Sequence, residues 1–513
     1  MWIRSGLLSI LALVTVTAAF ETKAPALAGP GAPSTNATVQ DISQVCSALA
    51  QKLGYDKVRQ QSFLDLQYVQ SVQHSWNQQQ SYYKPTCVIY PKETNDIALT
   101  YQAITQNNIP YGVKSGSHGV AYGWCATPGV LIDLVKMDNV EYVADRGVAI
   151  LGPGNRWGRV YDILAEQGQT VIGGRVTDVG MGLLLNGGVS YISGDYGFAS
   201  TNFVELEVVL PAGEVVVATP TNQYKDLLWA MQASGNAFGI VTQYTVKAYP
   251  LENQFWGGLI IYGADQLDAA SDAAIDFLND VTDPKAAIVP TFEIIGLPLG
   301  ALVQPIAIFA LSYAGPTPPA NMFDRLLNIP HISADVKTRP YAGPGGIVHL
   351  FDGFGSIYGD AQSFRVQGHN ITKDIGRLAI AAARNITQVH AGEVDTFSVS
   401  FEHIFAQTIA ISNQSPLGGI PYGFEEKPLT YVLYNVAYKA ELPTDRKQRL
   451  LQTFNENVDS VPSTGKFPLY LPYSAPDQRA LQTYNNYDRL KAIKKKYDPQ
   501  NLVQRLAGGP KFD

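Results

Sequence analysis

The feature that most limits the folds open to this chain is a dense helix–strand–strand stretch, residues 94–134, its two strands separated by a loop of small residues. Thr94 or Asn95 can cap a helix that carries Ile97, Tyr101 and Ile104. A strand follows near Ile109–Val113, and Val130–Leu134 is a second short, continuously apolar strand. Between them lies Val113-Lys-Ser-Gly-Ser-His118. Its small residues let backbone N–H groups face an anion such as a pyrophosphate. A histidine ending such a turn can lie beside the edge of an aromatic cofactor. Taken alone, a motif this short is more often an ordinary turn with a surface histidine.

With 513 residues the chain has room for two or three domains. Hydrophobic residues make up 46% and charged ones 16%, which excludes overall disorder. The net charge of −7 is spread along the chain without a basic stripe, so no nucleic-acid partner is expected. Arg4, the apolar run Leu7–Val16 and the small residues Thr17, Ala18 and Ala19 read as a cleaved signal peptide over residues 1–20. A flexible leader over 21–40 follows, and no later run is long enough to span a bilayer, so no membrane partner is expected. A secreted protein would make Asn36, Asn370, Asn385 and Asn413 glycosylation acceptors, since each opens an Asn-X-Ser/Thr sequon. Of Cys46, Cys87 and Cys125, two should pair in an oxidising compartment, and the sequence does not choose which. No metal is expected, and a monomer is.

Residues 41–76 read as mainly helical. Val140–Val143 and Val148–Leu151 flank Asp145-Arg-Gly147 as a hairpin, and Phe203–Leu210 with Glu214–Ala218 form a second one. A helix from Trp157 to Glu166 stops at Gly168. Gly152-Pro-Gly-Asn-Arg-Trp-Gly158 imitates a dinucleotide fingerprint. Its third glycine comes one place late, however, and an indole fills the position where helix and strand must pack closely. From about 251 to 465 strands and helices lengthen. A basic helix, Tyr484–Tyr497, ends at Asp498-Pro499.

Lys114-Ser-Gly-Ser-His118 resembles the Arg-Ser-Gly-Gly-His signature of the berberine-bridge-enzyme-like branch of the vanillyl-alcohol-oxidase flavoproteins. Further segments agree in order: Gly129–Leu134, Gly187-Gly188, Asp195-Tyr-Gly197, Val208–Gly213, Asp226–Ala230 and Gly235–Thr242. At the far end Asn486–Leu490 and Lys496–Pro499 match the family's C-terminal helix. The resemblance implies an α+β fold: a PCMH-type FAD-binding domain of two α/β subdomains plus a substrate domain of antiparallel sheet backed by helices. The FAD domain would span 41–250, with its core from about 80. The substrate domain would span 251–465, and 466–513 would return to the FAD domain. It also implies a covalent bond from His118 to the flavin, and a Cys46–Cys87 disulfide with Cys125 free.

Cofactor contacts implied by the resemblance start in the histidine loop, at Val113, Lys114, Ser115, Gly116, Ser117 and Gly119. A second loop adds Gly174, Val176, Val179 and Gly180, and a third adds Gly187 and Gly188. Gly239, Ile240 and Val241 follow, then Tyr484 and Asn486 from the tail. Many relatives carry a cysteine, linked to the flavin, where this chain has Val176, so a single covalent bond is expected. Leu184 and Val189 replace a histidine and a glycine, which makes the third loop bulkier and less polar.

Val179 matches a position where relatives that use O2 often carry a small gatekeeping residue. For catalysis, the alternating strand Tyr431–Tyr438 offers Tyr434, Asn435 and Tyr438, and Tyr470-Leu-Pro-Tyr473 offers Tyr470. Lys439 stands where some relatives have a glutamate base. The expected activity is that of a secreted FAD-dependent oxidase acting on a small-molecule alcohol or secondary metabolite, with O2 as second substrate and oxidative cyclisation as a further outcome. A carbohydrate oxidase, a flavin dehydrogenase and an inactive flavoprotein-like binding module are the alternatives.

Overall fold

The computed structural model describes residues 33, 35–121, 123–295, 305–352 and 361–513. The expected signal peptide, and leader residues 21–32 and 34, lie outside the described residues.

The first helix, Val39–Leu53, starts inside the expected leader because Thr38 and Asp41 form a capping box. The Thr38 hydroxyl accepts the Asp41 N–H at 3.2 Å, and the Asp41 carboxylate accepts the Thr38 N–H at 2.8 Å. The 41–76 stretch is not helical throughout. A short strand, β1 (Val58–Gln60), separates this helix from Leu66–Gln73. Three residues are too few to show a period of two, and β1 exists by pairing antiparallel with β2 (Cys87–Ile89).

With β3 (Tyr111–Lys114) and β4 (Val130–Asp133) these strands form a four-stranded sheet in the order β1-β2-β4-β3. β2 and β3 run parallel to β4; β2 and β4 are buried on both faces, hence the apolar runs at 87–89 and 130–132. Helix Thr94–Gln106 buries Ile97, Tyr101 and Ile104 against this layer. Its cap position is Glu93 and carries no side-chain bond, whereas Thr94 or Asn95 was expected there. The Thr94 hydroxyl is committed instead to the Glu207 carboxylate. Cys46 and Cys87 form a disulfide, Cα–Cα 6.1 Å, and Cys125 is free. Closing a loop of 41 residues stabilises the fold by about 4 kcal/mol on the chain-entropy account.

A second sheet is antiparallel, in the order β5-β6-β10-β8-β9. It comprises β5 (Val140–Val143), β6 (Val148–Leu151), β8 (Phe203–Val209), β9 (Val215–Ala218) and β10 (Ile240–Lys247). A small pair, β7 (Gln169–Thr170) with β11 (Tyr249–Pro250), lies beside it. The glycines of the false fingerprint serve close backbone packing. A Cβ on Gly152 would sit 2.2 Å from the Met137 carbonyl oxygen, and one on Gly154 2.1 Å from that of Leu134. Trp157 is fully buried in the core.

The roof is a seven-stranded antiparallel sheet in the order β15-β12-β14-β13-β17-β18-β16. Its strands are β12 (Phe255–Tyr262), β13 (Ala286–Ile295), β14 (Pro305–Tyr313), β15 (Ser333–Arg339), β16 (Ala361–His369), β17 (Val394–Ile404) and β18 (Leu429–Tyr438). Alternate residues of each strand meet different cores. On β18, Val432, Tyr434, Val436 and Tyr438 pack against helices Leu267–Asp280, Lys373–Val389 and Thr444–Asp459, whereas Tyr431 joins the core of the N-terminal half.

The chain then returns to its N-terminal half. Ala507 bridges Tyr111, and a Cβ on Gly508 would lie 1.9 Å from the Gly123 carbonyl oxygen. In helix Tyr487–Tyr497 the Arg489 guanidinium stacks 3.7 Å over Trp229. No helix among the described residues is long and apolar enough to cross a membrane.

Candidate active site

A cavity of about 310 Å³ opens between the N-terminal half and the roof. Its floor is the loop after β3. Gly116 and Gly180 meet backbone to backbone there, so neither position has room for a side chain. A Cβ on Gly116 would lie 2.5 Å from the Gly180 Cα, and one on Gly180 would lie 2.2 Å from the Gly116 nitrogen. This contact ties the histidine loop to the Val176–Gly180 loop. Ser117 has φ +61°, a left-handed conformation that favours glycine. Its hydroxyl lies 2.9 Å from that of Ser75, and its carbonyl accepts the Trp76 N–H at 3.0 Å.

His118 therefore enters the cavity in a fixed orientation, stacked on Trp76 at 4.6 Å between ring centroids. Its Nε2 is buried with no hydrogen-bond partner among the described residues. Burial pushes its pKa down to about 4, so the ring is neutral at neutral pH. A neutral, unpartnered imidazole nitrogen is a nucleophile without a protein role of its own.

The predicted cofactor residues separate into two groups. Val113, Ser115, Gly116, Ser117, His118 and Gly119 line the cavity, as do Gly174, Val176, Val179 and Gly180; Gly239, Ile240 and Val241 complete that group. The remainder lie off it. The Lys114 ammonium points back to the Ser71 carbonyl and lies 3.5 Å from the Asp133 carboxylate. Gly187 and Gly188 support Tyr470 from behind, the Gly188 N–H donating to its hydroxyl at 3.2 Å. Tyr484 packs on Tyr422, and Asn486 precedes helix Tyr487–Tyr497 against Gly423.

The catalytic expectations need correction. Tyr434 and Tyr438 lie on the helix side of the roof, where the Tyr434 hydroxyl donates to Gln367 at 3.2 Å and Tyr438 takes the Gln79 amide. The tyrosine spacing in β18 puts these two on the buried outer face. Asn435 pairs with Phe364, which lines the cavity, and so lies on the inner face without lining it. Tyr470 does reach the cavity.

Sequence reasoning missed the polar centre of this wall, which is Arg175. Its Nη2 donates to the Glu402 carboxylate from β17 and lies 3.5 Å from the Tyr473 hydroxyl. Burial alone would lower its pKa, but Glu402 holds it above the usual value. Phe364 and Trp76 continue an aromatic wall, with Phe364 5.6 Å from Trp76 and 6.1 Å from Tyr473. The available signal was Glu402 itself, an acid in phase with Thr396, Ser398 and Ser400 and alternating with Phe397, Val399 and Phe401.

The FAD binding domain model matches residues 85–219, and the berberine and berberine-like model matches residues 481–504. The chain thus carries an FAD binding domain and a berberine-like C-terminal segment, as FAD-linked oxidoreductases do. An uncharacterized FAD-linked oxidoreductase from Arthroderma benhamiae is 34% identical over 272 residues, 52% of this chain and 53% of that relative, so the match spans about half of it. An FAD-dependent monooxygenase from Arthrobotrys oligospora is 26% identical over 467 residues, 85% and 83% of the two chains. The crystal structure of berberine bridge enzyme from Eschscholzia californica superposes with a TM-score of 0.73 at 16% identity, covering 91% and 99%, and supports the fold. The residues present fit the family's FAD: a glycine-packed floor, and a buried histidine nitrogen that nothing else uses.

Proposed function

We propose that this berberine-bridge-like protein is a secreted oxidase that carries its FAD on His118 by one covalent bond. It would convert a small-molecule alcohol or activated C–H donor and O2 into the oxidised product and H2O2. The carrying observation is that one cavity holds the unpartnered His118 nitrogen, Val179 and the hydroxyl of Tyr473. When bound, FAD supplies the two-electron acceptor. Val179 leaves a path for O2, and Val176, lacking a thiol, forms no second bond. Burial raises the Tyr473 pKa well above normal, so its hydroxyl, beside the Arg175 cation, stays protonated and serves as a hydrogen-bond donor that orients the substrate oxygen. In natural-product chemistry such an oxidation can be followed by ring closure. Asn36, Asn370 and Asn385 are exposed, which suits glycosylation, while Asn413 is half-buried with its amide on Glu426.

Aerobic turnover against benzylic alcohols, sugars and metabolite precursors, read as H2O2 per product, tests the proposal. One H2O2 per oxidised product supports it. A hydroxylated product without H2O2 would favour the reading suggested by the relative named a monooxygenase. A carbohydrate oxidase is disfavoured by Val176, which cannot form the second flavin link that the resemblance associates with sugar oxidases.

A further inference from the structure

Among the described residues lining the cavity, Arg175 is the one side chain that is charged, since burial keeps His118 neutral. Its cation is not free. Glu402 lies behind it, outside the lining, in an ion pair whose side chains are 13% and 9% exposed. Only Nη2 of Arg175 is engaged among the described residues, by Glu402 and Tyr473. Nε and Nη1 remain as donors for a ligand. The site thus presents hydrogen-bond donors but no net charge, within a cavity whose other lining side chains are uncharged.

We infer that Glu402 sets the charge specificity of this cavity. By neutralising Arg175 from behind, it admits an uncharged, largely apolar molecule with one oxygen acceptor and turns carboxylates away. A carboxylate entering here would lose its hydration and find its only counter-charge already taken. A neutral carbonyl, phenol or ether oxygen gives up less water and still receives the guanidinium N–H groups. Glu402 acts through Arg175 and is a positioning residue, whereas Arg175 touches the ligand. The inference rests on the proposed reading of the cavity as the substrate site and does not depend on O2 being the electron acceptor.

The test is a binding titration of the flavin-loaded enzyme with benzamide and with sodium benzoate, near-isosteres that differ in charge. It is read from the flavin visible spectrum without turnover, so a failed oxidase assay leaves it intact. Wild type should bind benzamide at least about tenfold more tightly than benzoate. Glu402→Gln frees the Arg175 charge at nearly constant shape, and benzoate affinity should rise by about tenfold to a hundredfold. Equal binding of the two ligands by wild type, perturbation by neither, or a flavin-loaded Glu402→Gln that gains no benzoate affinity overturns the inference. Should Glu402→Gln not hold flavin, Arg175→Gln decides. Its benzamide affinity should fall about tenfold, and an unchanged affinity overturns the inference.

Discussion

The two sides of the cavity are built from different materials. The floor is backbone: Gly116 packs on Gly180, and the histidine loop leaves no room for a side chain where the two loops touch. The roof is side chain: Phe364 stands on the antiparallel strand β16 and lines the cavity, with Tyr431 and Glu402 on β18 and β17 behind the lining. Close backbone contact demands glycine at particular positions. A sheet face accepts many residues so long as its apolar alternation is kept. The floor is therefore constrained in sequence and general in chemistry, whereas the roof is free to vary and determines what is bound.

This contrast is open to tests of decreasing severity. Removing the floor's nucleophile should have the largest effect. In wild type the yellow flavin should stay in the acid-precipitated pellet; in His118→Ala it should appear entirely in the supernatant or be absent. Flavin released from wild type by the same treatment would break the account of the floor.

The wall of the cavity is tested by a pair of tyrosines, Tyr473 facing the cavity and Tyr434 on the outer face of β18. Tyr473→Phe should lower the rate of substrate-dependent flavin reduction about thirtyfold, roughly 2 kcal/mol for loss of a substrate-orienting hydrogen bond polarised by Arg175. Tyr434→Phe should leave that rate within about twofold and lower stability by about 1 kcal/mol, from its bond to Gln367. Equal effects of the two would erase the distinction between the cavity wall and the outer face of β18.

Val179 lies between these extremes. Val179→Leu should slow reoxidation of the reduced enzyme by O2 on the order of tenfold, about 1.4 kcal/mol of barrier, while anaerobic reduction by substrate changes little. Stopped-flow traces of the two half-reactions separate these outcomes. Reoxidation unaffected by the leucine would remove Val179 as a gate.

The smallest effect concerns the seam between the two sides. His349 bonds to Asp162 at 3.0 Å and Asp352 at 2.7 Å. Burial lowers its pKa, but the two carboxylates outweigh this and raise it above the ordinary histidine value. A raised folded pKa contributes stability that is complete below the unfolded value near 6.5 and is lost as pH climbs through the folded one. Screening of these half-exposed carboxylates keeps the contribution below about 1 kcal/mol. The Tm of wild type should therefore fall slightly more between pH 6 and 9 than that of His349→Gln; identical profiles would show the seam to be silent.

The same contrast explains what could be read from the sequence. The hairpins at Asp145-Arg-Gly147 and Pro211-Ala-Gly213 were legible because each needs a residue at positive φ, and Gly147 and Gly213 supply it at +61° and +87°. The His118 loop was legible for a related reason, although Ser117 holds a conformation its residue type does not announce. β1 was hidden because three residues carry no pattern of their own. On the roof, the spacing of tyrosines in β18 marked a strand but not which of its faces meets the cavity, and Tyr434 and Tyr438 were placed on the wrong one. Arg175 and Glu402 escaped notice because 227 residues separate them and their significance lies in the pairing alone.

The roof is spliced into the N-terminal half rather than appended to it, and this bears on how the protein is made. Pro510 lines the cavity, and Ala507 bridges the strand that leads into the histidine loop. These residues leave the ribosome only after all seven roof strands. A nascent chain, growing at about 5–20 residues per second, has its histidine ready long before the wall that shelters it. Enclosure of the cavity thereby waits for residues beyond the roof, and a truncation that spares every roof strand but removes residues 507–510 would strip both the Tyr111 bridge and part of the cavity lining.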